Sequence, residues 1–154
     1  MAAFRLQALL DYRRQLEEQQ TLRLATVEGE RREAQMLLDD LHVRREEQCR
    51  RLDRLAQAQP LDAYRMREAV AYLGLVEAAI GRQVEALREV EARVREQRDL
   101  LMEAVRERRV LERLRDRQAA EAQLEADRAE ARRTDEIAMS RFGRFGVEAA
   151  GEGV

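Results

Sequence analysis

Gln57-Ala58-Gln59-Pro60-Leu61-Asp62 holds the single proline of a chain of 154 residues. Proline lacks a backbone donor, and the residue before it avoids the α region, so a helix entering this stretch stops there. Asp62 can restart one by accepting N–H bonds from the first turn that follows. Helical pattern lies on both sides, and the spacing predicts a helix over about 3–58, a turn over about 59–62 and a second helix over about 63–141. So short a connection favours two antiparallel helices. The arms are unequal, so the second helix outruns the first.

The apolar pattern supports this reading. In the first arm, steps of seven from Leu6 give Arg13, Gln20, Val27, Ala34, Leu41, Gln48 and Leu55. The complementary positions are Leu9 or Leu10, Leu16, Leu24, Leu37 or Leu38, and Leu52. Polar interruptions make this an imperfect heptad seam, weaker than a leucine zipper. The second arm steps through Met66, Leu73, Ile80, Leu87, Val94 and Leu101, with Val70, Val76, Val84, Val90, Arg98 and Val105 as partner positions. Its apolar pattern continues to Leu111 and Leu114 and then thins. Antiparallel pairing about Pro60 sets Leu6 near Val110 to Leu114, which leaves residues past about Arg117 without a partner on the first helix. At 1.5 Å per residue, the paired part is on the order of 80 Å long and the overhang roughly 30 Å. The Gly-rich segment 142–154 reads as a flexible tail.

Composition agrees with an all-α antiparallel coiled-coil hairpin. Charged residues make up 39% of the chain and aromatic residues 4%, with no Trp, too little large apolar surface for a compact single core. Helical periodicity of the apolar residues argues against disorder. There is no Lys, so apart from His42 all 29 basic side chains are Arg. The formal net charge of −2 gives no whole-chain basic excess for nucleic acid. No apolar run is long enough to insert into a bilayer, and the Met1-Ala2-Ala3-Phe4-Arg5-Leu6 start reads as amphipathic helix, not as a secretory leader. One cysteine, Cys49, excludes an internal disulfide and reads as a small side chain near the seam. His42 reads as a surface or rim residue. No phosphate loop, Ser/His or Cys/His pairing, or metal-ligand spacing occurs, so neither enzyme activity nor a cofactor is expected.

Two segments stand out. Ala69 to Gly81 holds one charge in thirteen residues. The seam here needs Val70, Leu73, Val76 or Glu77, and Ile80, and a second stripe, Tyr72, Val76, Ala79 and Gln83, set about one residue round the helix, is expected to be left uncovered by two helices and so to mark a partner site. The alternative is cover by a third short helix or a dimer contact. Further on, Arg106 to Arg117 carries six Arg against Glu107, Glu112 and Asp116, a net of +3, and Glu121 to Glu136 carries six acids against three Arg, a net of −3. Such segregated charge steers docking to a complementary surface, or else forms a solvated face.

The opening Phe4-Arg5-Leu6-Gln7-Ala8-Leu9-Leu10-Asp11-Tyr12-Arg13, the block Val110-Leu111-Glu112-Arg113-Leu114-Arg115-Asp116-Arg117 and the closing Thr134-Asp135-Glu136-Ile137-Ala138 together resemble the flagellar export protein FliJ family, up to about Arg141. The resemblance implies a cytoplasmic two-helix stalk, similar to the central subunit of rotary ATPases, at the inner-membrane base of the flagellum. It implies a monomeric hairpin that serves motility and chemotaxis through flagellar protein export. The implied partners are the hexameric export ATPase, the cytoplasmic linker of the export gate and the chaperones of late export substrates, without nucleic acid or direct membrane insertion. By the same resemblance, the gate-binding stripe falls on Tyr72, Val76, Ala79 and Gln83, with Gln35, Asp39 and His42 as the facing half on the first arm. The ATPase-docking tip falls on Phe4, Leu6, Leu111, Leu114, Arg115, Asp135, Glu136 and Ile137. On this reading Tyr72→Ala or Val76→Asp impairs export and leaves the hairpin folded. Relatives that serve virulence-type secretion, a structural coiled-coil dimer and an RNA-gripping helical hairpin are the other readings.

Overall fold

Chains rich in Ala, Glu, Leu, Arg and Gln have high helix propensity, and here only Pro60 interrupts it. A computed structural model of the protein describes residues 4–149, with side chains described through residue 142. Among the described residues there are two helices, α1 (Gln7–Gln57) and α2 (Ala63–Ala149), and no strand. The Phe4 carbonyl accepts the Gln7 N–H at 3.0 Å where α1 begins. At the turn, Asp62 caps α2 as expected: its Oδ1 accepts the Arg65 N–H at 3.0 Å and its backbone carbonyl accepts that of Met66 at 3.0 Å. α2 continues past the expected end at residue 141 to Ala149, and residues 150–154 of the expected tail lie outside the described residues. Isolated glycines such as Gly143 and Gly146 cost a helix about 1 kcal/mol each without ending it.

Contacts group the described residues into two units. One comprises residues 13–106, the other residues 4–12 with 107–149. In the first unit α1 and α2 pack antiparallel along a narrow seam. Ala34, Leu38 and Leu87 form its buried cluster, with Ile80 and Val84 packed against them. The α2 side of the seam runs Met66, Ala69, Leu73, Val76, Ile80, Gln83, Leu87, Val90, Val94, Gln97, Leu101, Ala104, alternating three and four residues. That register differs from the expected partner positions at four places, with Ala69, Gln83, Gln97 and Ala104 where Val70, Val84, Arg98 and Val105 are expected. Ala69 is 1% exposed while Val70 is 57% exposed, and the half-buried Gln97 takes the place expected for Arg98. A small residue at position 69 lets α1 approach closely, so size alone misassigned the seam. Cys49 is exposed, not near the seam, because Gln48 and Leu52 hold the inward positions on either side of it.

Two polar layers of the seam are hydrogen-bonded across it. The Gln97 side-chain amide donates to Gln20 Oε1 at 2.5 Å and reaches the Gln20 carbonyl at 3.4 Å. Gln83 donates to the Ala34 carbonyl at 2.9 Å. Ion pairs flank the seam between the helices: Arg98–Glu28 at 2.8 Å and Arg93–Glu30 at 2.6 Å. The hydrogen bond from Arg98 is the main cause holding the Glu28 carboxyl below its usual range. The positive charges of Arg98, Arg32 and Arg31 add to it and desolvation opposes it.

In the second unit, the first turns of α1 meet α2 past Glu107. Leu10 is fully buried here, while Leu6 and Leu9, at neighbouring angles on the helix, are exposed. From Asp116 to Phe142 every residue of α2 is exposed, in agreement with an uncovered second arm beyond about Arg117.

Candidate functional site

The Tyr72–Gln83 stripe is split by the heptad register. Val76 is 5% exposed and Gln83 is half-buried, both on the seam and turned toward α1. The expectation that this stripe stands uncovered is therefore corrected at those two positions. The reason is geometric, because residues 69, 73, 76, 80 and 83 advance by alternating steps of four and three and so share one face. Tyr72 remains 41% exposed, and Ala79 is half-buried. What the first unit presents instead is a recess of about 450 Å³ lined by Gln48, Arg51, Glu68, Ala71, Tyr72 and Leu75. Leu75, 68% exposed, is the apolar residue that sequence reasoning missed. Its signal was present: it lies three residues after Tyr72 in the low-charge segment, one helical turn along the same face. On α1, Gln35 donates to Asp39 at 2.9 Å, so part of the facing half engages itself.

In the second unit, the structure brings together two of the tip residues. Phe4 and Arg115 line a recess of about 370 Å³ whose remaining wall is Gln118, Ala119, Ala122, Gln123 and Ala126. Alanines on that stretch of α2 leave room for the Phe4 ring, whose half-buried position follows. Arg115 is fixed along the rim by its bonds to Asp116 Oδ1, at 3.1 Å from Nε and 2.9 Å from Nη2. Leu111 is half-buried, and Leu6 and Leu114 are exposed. Asp135, Glu136 and Ile137 lie further along the uncovered part of α2, all exposed. The tip set is thus one recess and one separate exposed segment.

The description "Flagellar FliJ protein" belongs to a family model that matches residues 1–146. The chain belongs to the FliJ family. FliJ proteins are structural or adaptor components, and membership makes this chain a component of the flagellar export apparatus of the type III secretion class. The FliJ match spans both described units and the turn between α1 and α2. Comparison with curated proteins and with solved structures gave no significant match. Among the described residues no helix is long and apolar enough to cross a membrane, and no group of three His, Cys, Asp or Glu is placed to hold a metal ion.

Proposed function

We propose that this FliJ-family chain is a cytoplasmic stalk and adaptor of flagellar export, peripheral to the inner membrane, acting as a single-copy hairpin. Its tip, built from Phe4, Leu6, Leu111, Leu114, Arg115 and the exposed Asp135, Glu136 and Ile137, docks into the hexameric export ATPase. A stalk needs no catalytic group; it acts by binding some subunit conformations of a ring more tightly than others. The exposed run of α2 from Asp116 to Phe142 is the observation that carries this reading, because a long uncovered helix on a packed base suits insertion into a pore.

Coupling to the export gate's cytoplasmic linker is assigned to the Tyr72 side of the first unit. Tyr72, Ala79 and the exposed Leu75 are the contacts, with Val76 and Gln83 supporting them from the seam. Escort of empty late-substrate chaperones belongs to the same proposed adaptor role. The deciding experiment compares the full chain with a chain ending at Arg117 for stimulation of the purified export ATPase. Loss of stimulation with retained helicity supports ring docking, and equal stimulation refutes it.

A further inference from the structure

We propose that the uncovered part of α2 is also a self-association surface, on which two copies of this chain pair antiparallel about residue 120. Charges without partners mark this surface. Arg108 is bound to Glu112 and Arg115 to Asp116, so the nearby carboxylates of Glu112 and Asp116 are engaged. Arg109, Arg113 and Arg117, at successive i+4 positions, make no ion pair among the described residues. Val110 and Leu114 stand exposed beside them. Arg113 and Arg117 with those two residues line a shallow recess of about 310 Å³. Past Asp116 the order of charge reverses. Glu121, Glu125 and Glu130 are exposed and likewise make no ion pair among the described residues, with Leu124 exposed among them.

The occupant must match a basic block and an acidic block in sequence. An anionic membrane or a nucleic acid matches the first and is repelled by the second, which carries a net of −3. An antiparallel second copy presents the two blocks in the opposite order. A two-fold axis at residue 120 lays residues 106–117 of each copy along roughly residues 123–134 of the other, twice over by symmetry. Ala119 and Ala120 lie at the crossing, where small side chains let the helices approach closely. Leu114 and Leu124 add apolar contact on either side. The dimer stands independently of the ring-docking reading; if that reading also holds, the dimer hides the same tip, and ATPase and second copy compete for it.

Sedimentation velocity on the full chain tests this directly. The wild type forms a concentration-dependent dimer at about 0.05 M salt, weakened about tenfold at about 0.5 M as the charges are screened. Arg109→Glu/Arg113→Glu/Arg117→Glu is monomeric alone, as is Glu121→Arg/Glu125→Arg/Glu130→Arg, and an equimolar mixture of the two restores the dimer. If the triple reversal lowers helicity, Arg113→Gln/Arg117→Gln gives the same reading with milder charge change. In a Cys49→Ala background, Ala120→Cys copies cross-link under mild oxidation, as the crossing point requires. A wild type that stays monomeric at low salt, a charge-reversed chain that still dimerises alone, or a mixture that fails to associate overturns the proposal.

Discussion

The Gln20–Gln97 layer should behave as one coupled unit that holds the register of the seam. Gln20 is buried, and its side-chain oxygen is the main acceptor for the Gln97 amide. Replacing Gln20 by Leu gains about 1.5–3 kcal/mol of apolar burial but leaves the half-buried Gln97 amide without that acceptor, a cost of about 1–3 kcal/mol. The single substitution is therefore expected to change stability by about 1 kcal/mol or less in either direction, and Gln97→Leu, which orphans the more deeply buried Gln20, to be the more harmful of the two. The double Gln20→Leu/Gln97→Leu chain has no amide left to orphan, and should exceed the sum of the singles by about 1–2 kcal/mol. Urea unfolding followed by helicity measures all four corners of this cycle. A coupling below about 0.5 kcal/mol would show that the two amides act independently and that water satisfies each of them. The stabilised double mutant should also lose register selectivity, because leucines at both positions pair as well after a one-heptad slip.

Gly74→Ala and Gly81→Ala should each stabilise the first unit by about 0.5–1 kcal/mol, since a Cβ there meets nothing within 4 Å and neither residue has a positive φ; thermal unfolding checks this. Val76→Asp should destabilise by roughly 3 kcal/mol or more by placing a carboxylate in the seam. Tyr72→Ala and Leu75→Asp should leave unfolding nearly unchanged and weaken binding to the purified gate linker, and wild-type binding by both folded chains would remove that face from the gate site. The stability difference between wild type and Glu28→Gln should be full above the ordinary carboxylate range and close as pH falls through the lowered folded value; a gap that persists in acid would mean that the Arg98 pairing is not its source.

The parts of this fold legible in sequence are those that depend on strong local rules. Pro60 and Asp62 determine the turn and the cap without help from distant residues, and the Asp62 bond to the Arg65 N–H has the expected form. The end of cover near Arg117 follows from counting residues along two arms. Seam membership is harder, because a helical face is about one residue wide in angle and the larger side chain draws the assignment. For that reason Val70 and Arg98 read as seam where Ala69 and Gln97 hold it, and the same one-residue shift brings Gln83 from the expected outer stripe into the seam in place of Val84. Leu75 follows Tyr72 by one helical turn in the low-charge segment, so its place on that face was open to the same pattern reading. Phe4 with Arg115 depends on contact between residues far apart in sequence, which periodicity does not encode.

The bare run of α2 has a thermodynamic consequence. An isolated helix must first form a turn that fixes several residues for a single hydrogen bond, and that nucleation is costly in water. Here the packed residues around Leu10 already hold α2 helical, so each further residue adds one bond without a nucleation step. Local bridges such as Gln123 to Asp127 at 2.8 Å reinforce that growth. A partner that grips the tip thus meets a rod already formed, and little of its binding energy goes into ordering it.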